Sequence, residues 1–118
     1  MKLYGIPNCN TVKKARIWLD ENNISYTFHD FKKLGVTQTT LDQWLTQQPW
    51  EKLVNRAGMT WRNLSDETKA GITDNASASA LMMEKTSVIK RPVLEKDNAI
   101  LCLGFNEDHY EETLKREM

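Results

Sequence analysis

Apolar and polar positions along this chain follow a strand period first, then a helix period, then a strand period again. Lys2–Ile6 is a short apolar run and Ser25–Phe31 is rich in aromatic and β-favouring residues, so both predict strands. Between them, Val12, Ala15 and Leu19 recur at helical spacing. The beginning of the chain therefore predicts a β-α-β unit, whose two strands run parallel and lie adjacent or nearly so.

The middle of the chain, at about residues 36–86, predicts only short helices. Thr37 is a suitable N-cap for a helix that carries Trp44, and Ser65 is a suitable N-cap for a further short turn. No strand pattern interrupts this stretch. We expect one domain that spans residues 1–118, with this stretch as a helical insert.

The last third of the chain returns to strands and ends in a helix. Val88–Leu94 predicts a strand interrupted by Pro92, and Asp97–Asn98 is a hairpin turn signal. The next strand, Ala99–Leu103, is continuously apolar, so we expect it to be buried on both faces. Asn106 is a suitable N-cap for the final helix. The order β-α-β, helical insert, β-β-α predicts an α/β fold.

Charge and composition narrow the classes of function. Lys+Arg and Asp+Glu both number 16, so the formal net charge is zero, and the basic excess of a nucleic-acid binder is missing. No apolar stretch approaches the roughly 20 residues of a membrane span, and no signal-peptide pattern opens the chain. The two cysteines and two histidines are too scattered for a metal site. We expect a cytoplasmic monomer with no bound metal or cofactor and no nucleic-acid or membrane partner.

The strongest chemical feature is Cys9, which lies where the first strand ends and the first helix begins. Unpaired N–H groups of a first helical turn favour a thiolate, and Lys13 and Lys14 add positive charge. Lowering a thiol pKa from about 8.5 to about 7 needs only about 2 kcal/mol. A buried structural cysteine is the less favoured alternative, because the neighbours of Cys9 in sequence are polar. These neighbours, Asn8, Asn10 and Thr11, are also expected to line the site.

The second cysteine, Cys102, lies inside the apolar strand and is interpreted as an inert core residue, with a resolving thiol as the alternative. Val12 stands three residues after Cys9, where a C-x-x-C motif would have its second cysteine. A mixed disulfide on Cys9 would therefore be resolved by another molecule or by a distant cysteine.

The dipeptide Arg91-Pro92 is the second feature of interest, because a proline inside a strand forfeits a ladder hydrogen bond. One interpretation is a cis peptide bond that turns the end of the strand. Its free backbone groups could then form hydrogen bonds with an extended peptide that carries a thiol. Arg91 would then meet a carboxylate or an oxyanion near Cys9. The other reading is an edge-strand proline beside a solvated arginine. These residues alone favour neither.

Four stretches of sequence together form a pattern: Tyr4–Arg16 (YGIPNCNTVKKAR), Asn55–Leu64 (NRAGMTWRNL), Ile89–Leu94 (IKRPVL) and Leu103–Phe105 (LGF). In this order and spacing they resemble the ArsC/Spx/YffB family, the arsenate-reductase-like branch of the thioredoxin superfamily, and most closely its YffB-type members. The resemblance implies a thioredoxin-like (glutaredoxin-like) fold with a mixed four-stranded sheet. It also implies a nucleophilic Cys9 and a cis Pro92, and so favours the functional reading of Arg91-Pro92.

The resemblance also bears on substrate. Arsenate reductases of this family use one cysteine and three arginines around the oxyanion. Arg91 matches one arginine, and Arg56 and Arg62 are both candidates for a second. No arginine follows the last strand, where Glu107 and Asp108 would repel an oxyanion. This departure from the family pattern argues against arsenate as the natural substrate.

The leading hypothesis is a glutathione-dependent thiol–disulfide oxidoreductase that acts through Cys9, with glutathione as co-substrate. The carboxylates of glutathione would contact cationic side chains, and its backbone would pair with the bend at Arg91-Pro92. The predicted binding residues are Lys13, Arg56, Arg62, Arg91 and Pro92. The alternatives are an arsenate reductase coupled to glutathione and glutaredoxin, and a non-enzymatic Spx-like regulator that binds RNA polymerase.

Overall fold

The computed structural model describes the backbone of residues 1–117 and the side chains of residues 1–115. The chain divides into two compact units. The first comprises Met1–Phe31 and the C-terminal segment from Arg91 onward, and the second is Lys32–Lys90. The expectation of one domain, with a helical insert at about 36–86, stays a prediction.

Secondary structure follows the predicted order of elements. Along the chain these are β1 (Lys2–Gly5), α1 (Asn10–Glu21), β2 (Thr27–Asp30), α2 (Phe31–Leu34), α3 (Gln38–Leu45), α4 (Trp50–Leu53), α5 (Met59–Arg62), α6 (Asp66–Ala70), α7 (Asn75–Glu84), a 3-10 turn (Thr86–Val88), β3 (Val93–Lys96), β4 (Ala99–Leu103) and α8 (Glu107–Glu117).

The first unit contains a four-stranded sheet in the order β2-β1-β3-β4. β1 pairs with β2 in parallel and with β3 antiparallel, and β3 pairs with β4 antiparallel. The predicted mixed four-stranded sheet and α/β class are confirmed. Leu3 lies opposite both Phe28 and Leu94 in the ladders, and it packs in one apolar cluster with Leu19 of α1 and Leu114 of α8.

The predicted strand Val88–Leu94 is wrong in its bounds. Val88 ends the 3-10 turn, and Ile89 makes an isolated bridge to Val54 within the second unit. β3 begins only at Val93, directly after Pro92, because a proline has no N–H to donate to a ladder. The apolar pair Val88 and Ile89 is buried but is not part of the sheet. Its apolar character reflects burial in the second unit.

The predicted strand Ala99–Leu103 has the observed bounds of β4, but the expectation that both of its faces are buried is wrong. β4 lies at the edge of the sheet, and only Cys102 in it is fully buried. The turn before it is confirmed: Asp97 and Asn98 both have positive φ, at 52° and 67°, as a two-residue hairpin loop of the primed type requires.

Helix N-caps shape the second unit. The Thr37 hydroxyl accepts a hydrogen bond from the N–H of Thr40, and the Ser65 hydroxyl accepts one from the N–H of Thr68. Both predicted caps are therefore confirmed. Within residues 1–117, the structure contains no helix with the length and apolar content needed to cross a membrane.

Candidate active site

Cys9 is the N-cap residue of α1. Its backbone is extended, with φ −93° and ψ 123°, and its carbonyl accepts the first helical hydrogen bond from the N–H of Lys13 at 2.9 Å. Its own N–H donates to the carbonyl of Ile6 at 3.2 Å, which closes the turn after β1. The Cys9 side chain is partly exposed. The thiol therefore lies at the positive end of a twelve-residue helix and within reach of solvent.

A glycine allows this helix to start so close to the sheet. A Cβ atom at Gly5 would lie 2.8 Å from Cγ2 of Val12, a distance that real Cβ atoms essentially never show. Val12 is fully buried. Because α1 approaches the end of β1 at this point, the position of Cys9 depends on the absence of a side chain at Gly5. The sequence analysis missed this role, and the Gly-x-x-x-Cys spacing is the signal that carries it.

Burial alone would raise the pKa of Cys9, but the pKa is lowered overall. The opposing causes are, in order, the backbone N–H of Val12, the hydrogen-bonding Arg91 side chain, the backbone N–H of Thr11 and the positive charge of Arg91. Cys9 makes no regular side-chain capping hydrogen bond. The N–H groups nevertheless favour the negative charge of a thiolate at this position. The lowered pKa agrees with the direction that the sequence analysis predicts.

Arg91 and Pro92 stand immediately before β3, in the same unit as Cys9. The Arg91–Pro92 peptide bond is cis, as the family resemblance implied. Pro92 is buried, and its carbonyl accepts a hydrogen bond from the N–H of Gly104 at 2.8 Å. Gly104 has a φ of +74°, a conformation that favours glycine. This bond ties the bend before β3 to the residue that follows β4.

The other predicted residues of the first unit differ in what they contribute. The side chains of Asn8, Asn10, Thr11 and Lys13 are all exposed. Thr11 acts on the Cys9 sulfur through its backbone N–H, and the lysines that follow are not among the groups that lower the pKa. The positive charge that Lys13 and Lys14 were expected to place near the Cys9 sulfur comes from Arg91. Roles in substrate binding for these four residues stay predictions.

Arg56 and Arg62 belong to the second unit. Both are exposed. The guanidinium of Arg56 lies over the ring of Trp50, 5.6 Å from its centroid, and the Arg62 carbonyl accepts a hydrogen bond from Nζ of Lys69 at 3.2 Å. Their predicted contribution to substrate binding stays a prediction.

Cys102 is 2 % exposed and packs in the core cluster with Tyr110. Burial raises its pKa, and a hydrogen bond with Thr113 offsets this only in part. The predicted core position of Cys102 is confirmed. Among the residues that the structure describes, no group of three or more His, Cys, Asp or Glu side chains is placed to hold a metal ion.

This sheet order, with a cysteine at the head of the first helix, defines a thioredoxin-like α/β protein. The model of the ArsC family matches residues 4–113 of this chain. The chain therefore belongs to the ArsC family.

Similar proteins cover nearly the whole chain. An uncharacterized protein from Haemophilus influenzae is 41% identical, across 92% of this chain and 94% of its own length. The solved structure of a protein described as YffB has a TM-score of 0.88 and 44% identity, covering 96% of this chain and 97% of that one. An arsenate reductase (ArsC) related protein from Brucella melitensis has a TM-score of 0.76 and 49% identity, covering 97% and 93%.

A more distant relative is the global transcriptional regulator Spx of Staphylococcus aureus. It is 26% identical, across 98% of this chain and 88% of the regulator. An arsenate reductase from Vibrio cholerae has a TM-score of 0.69 at 16% identity, which shows a common fold. Proteins similar to this chain are therefore described in two ways, as arsenate reductase related and as a transcriptional regulator.

Proposed function

We propose that this protein is a glutathione-dependent thiol–disulfide oxidoreductase that acts through Cys9 as a cytoplasmic monomer. The observation that carries the proposal is the partly exposed thiol of Cys9, whose pKa is lowered by the N–H groups of the first helical turn and by Arg91. A thiolate is the reactive form in disulfide exchange. The arsenate-reductase-like character of the family agrees with redox chemistry at this position.

The reaction consists of two disulfide exchanges. The Cys9 thiolate attacks the glutathione sulfur of a mixed disulfide, a new S–S bond forms, and the substrate thiolate leaves with the electron pair of the broken bond. A second glutathione thiolate then attacks the glutathione sulfur held on Cys9. Glutathione disulfide leaves, and the Cys9 thiolate is restored. Over the two exchanges the substrate sulfur is reduced from the mixed disulfide to a thiol, one glutathione thiol is consumed, and glutathione disulfide is the oxidised product.

The residues near Cys9 suit the intermediate. Val12 occupies the position where a C-x-x-C protein has its resolving cysteine, and it is fully buried. Cys102 is buried with a raised pKa, which makes it a poor attacking thiol. External glutathione is therefore the proposed resolving thiol. Arg91 is the proposed partner of a glutathione carboxylate, with Lys13, Arg56 and Arg62 as further candidates.

The proposal is tested by exposing the protein to glutathione disulfide and mapping the adduct by mass spectrometry. The expected result is one glutathione on Cys9, which is removed by added reduced glutathione. The Cys102→Ala protein is the matched control and should acquire the same adduct. An adduct only on Cys102, or none on either cysteine, contradicts the proposal.

Arsenate reduction is a second candidate, since an arginine beside the reactive cysteine suits a tetrahedral oxyanion and relatives are described as arsenate reductase related. Against it, Glu107 and Asp108 are exposed and open α8, directly after β4. The test is arsenate turnover in the presence of glutathione and glutaredoxin. Arsenite formation that requires Cys9 would replace disulfide exchange as the leading function.

A regulatory role is the third candidate, because the Spx relative aligns with nearly the whole chain. In this role the protein would bind RNA polymerase and not turn over a substrate. A pull-down of RNA polymerase that survives the Cys9→Ala substitution, together with no exchange activity, would favour it. A pull-down with no polymerase would remove this candidate.

A further inference from the structure

A groove lies on the first unit, away from Cys9. It is formed by the later turns of α1 and by the segment that leads into β2, and its volume is about 590 Å³. Arg16 and Asp20 of α1 line it, together with Ser25, Tyr26 and Phe28. With a rise of 1.5 Å per residue, Arg16 stands roughly 10 Å along the helix from Cys9. The volume is in the range of sites for small organic ligands.

Arg16 is held in one orientation by two aromatic residues. Its Nε donates a hydrogen bond to the hydroxyl of Tyr26 at 3.1 Å, and its guanidinium carbon lies 4.1 Å from the centroid of the Phe28 ring. An arginine has five N–H donors, and this arrangement uses one of them. Within the part of the chain that the structure describes, the terminal nitrogens of Arg16 have no hydrogen bond or ion pair. The groove therefore presents an oriented guanidinium edge.

Asp20 supplies the opposite charge and is not neutralised by Arg16. The two residues are four apart on α1, a spacing at which side chains of opposite charge commonly pair. Among the described residues they form no ion pair, because Arg16 is turned toward Tyr26 and Phe28. The exposed carboxylate of Asp20 also has no side-chain partner there. The groove thus has one positive and one negative group, separated from each other.

We propose that this groove binds a short peptide with free termini, its carboxylate against Arg16 and its ammonium group against Asp20. A phosphate or a dicarboxylate would be repelled by Asp20, and a neutral ligand would gain no charge-assisted hydrogen bond from either residue. Residues four apart on a helix have Cβ atoms about 5–6 Å apart, and the charged groups of these two form no ion pair among the described residues. Because each peptide residue spans about 3.5 Å, a dipeptide or tripeptide matches this separation better than a free amino acid.

The test is an NMR titration of the full chain, labelled with 15N, with the dipeptide Ala-Phe. Saturable shifts are expected at the amides of residues 24–28. N-acetyl-Ala-Phe and Ala-Phe amide each lack one charge and should bind at least about 10-fold more weakly. Free alanine should also bind more weakly. Equal binding of the capped and free dipeptides, shifts centred on Cys9, or no saturable shift would overturn the proposal.

Two variants separate recognition from packing. Arg16→Met keeps an apolar stem over Phe28 and should remove the preference for the free carboxylate, while Asp20→Asn should remove only the preference for the free ammonium group. Glu21→Gln, the next position on α1 but outside the groove, should change neither. A merely structural role of Arg16 would weaken all ligands alike, which would contradict the proposal. The Cys9→Ser protein should bind Ala-Phe like the wild type, so this test is independent of the proposed redox function.

Discussion

The two cysteines of this chain lie in the same compact unit, but their surroundings act on the thiol in opposite directions. Burial raises the pKa of both. At Cys9, two backbone N–H groups and the side chain of Arg91 outweigh burial, so the pKa is lowered. At Cys102, the hydrogen bond with Thr113 opposes burial without outweighing it, and the pKa is raised.

This difference indicates that the pKa of a thiol depends on the donors and charges around the sulfur and not on exposure alone. Cys9 begins a helix next to an arginine, whereas Cys102 lies within β4 and packs in the apolar cluster. The surroundings of Cys9 stabilise a thiolate, whereas Cys102 packs like a small apolar side chain. One fold therefore surrounds one thiol with groups that favour its anion and the other with apolar side chains.

The largest expected effect comes from removing one thiol at a time. Cys9→Ser replaces the nucleophile with a hydroxyl that stays protonated at neutral pH, so glutathione-dependent disulfide exchange should fall at least about 100-fold. Cys102→Ala should retain activity within about 2-fold and instead lower the free energy of unfolding by about 1 kcal/mol. Exchange assays and urea unfolding measure the two effects. Exchange in the Cys9→Ser protein that stays within about 10-fold of the wild-type rate would contradict the comparison.

The next effect concerns the close approach of α1 to β1. Gly5→Ala places a methyl group against the buried side chain of Val12, and we expect a loss of about 1–3 kcal/mol in the free energy of unfolding. The measurement is urea unfolding of the single variants and the Gly5→Ala/Val12→Ala double variant. If the contact is responsible, the Gly5→Ala loss should be smaller in the Val12→Ala background. Additive losses would remove the steric explanation.

A smaller effect is expected from Arg91. Arg91→Gln removes the cation that favours the Cys9 thiolate, so alkylation of Cys9 by iodoacetamide at pH 7 should slow by about 3- to 10-fold. Arg91→Lys should retain part of the rate because it keeps the charge. Lys14→Gln is the matched control, since no lysine is among the groups that lower the pKa of Cys9. A larger effect of the lysine than of the arginine would show that the main cation is misassigned.

The smallest expected effect is on stability as a function of pH. The pKa of Cys9 is lower in the folded state, so the unfolded chain binds more protons and stability rises with pH up to the ordinary thiol value of about 8.5. The pKa of Cys102 is higher in the folded state, so stability falls as pH rises above about 8.5. Urea unfolding at a series of pH values should show the rise flattened in Cys9→Ser and the fall flattened in Cys102→Ala. The opposite assignment of the two slopes would contradict both environments.

Most of the fold could be predicted from the pattern of the sequence. The helix of α1 follows from the spacing of Val12, Ala15 and Leu19, all fully buried, and the hairpin follows from its turn residues. The error at Val88–Leu94 arose because apolar character marks burial without specifying a strand. The error at β4 arose because an apolar run cannot show which strand is at the edge of the sheet.

The site was predicted less completely. Cys9 was predicted because its place at a helix start is visible in the sequence. The cation that lies near its sulfur was not predicted correctly. Lys13 is near in sequence, whereas Arg91 reaches the sulfur through the pairing of β1 with β3. Long-range contacts of this kind depend on the register of the sheet. The role of Gly5 was missed because it depends on the distance to one side chain of α1.

The most direct measurement is the alkylation rate of both cysteines in the same wild-type sample across pH, resolved by peptide mass mapping. A thiolate reacts and a thiol does not, so each rate follows the ionisation of its own sulfur. The account predicts a midpoint for Cys9 below the ordinary thiol value of about 8.5, and a slow reaction of Cys102 with a higher midpoint. A Cys9 midpoint at or above that value, or faster labelling of Cys102, would contradict it.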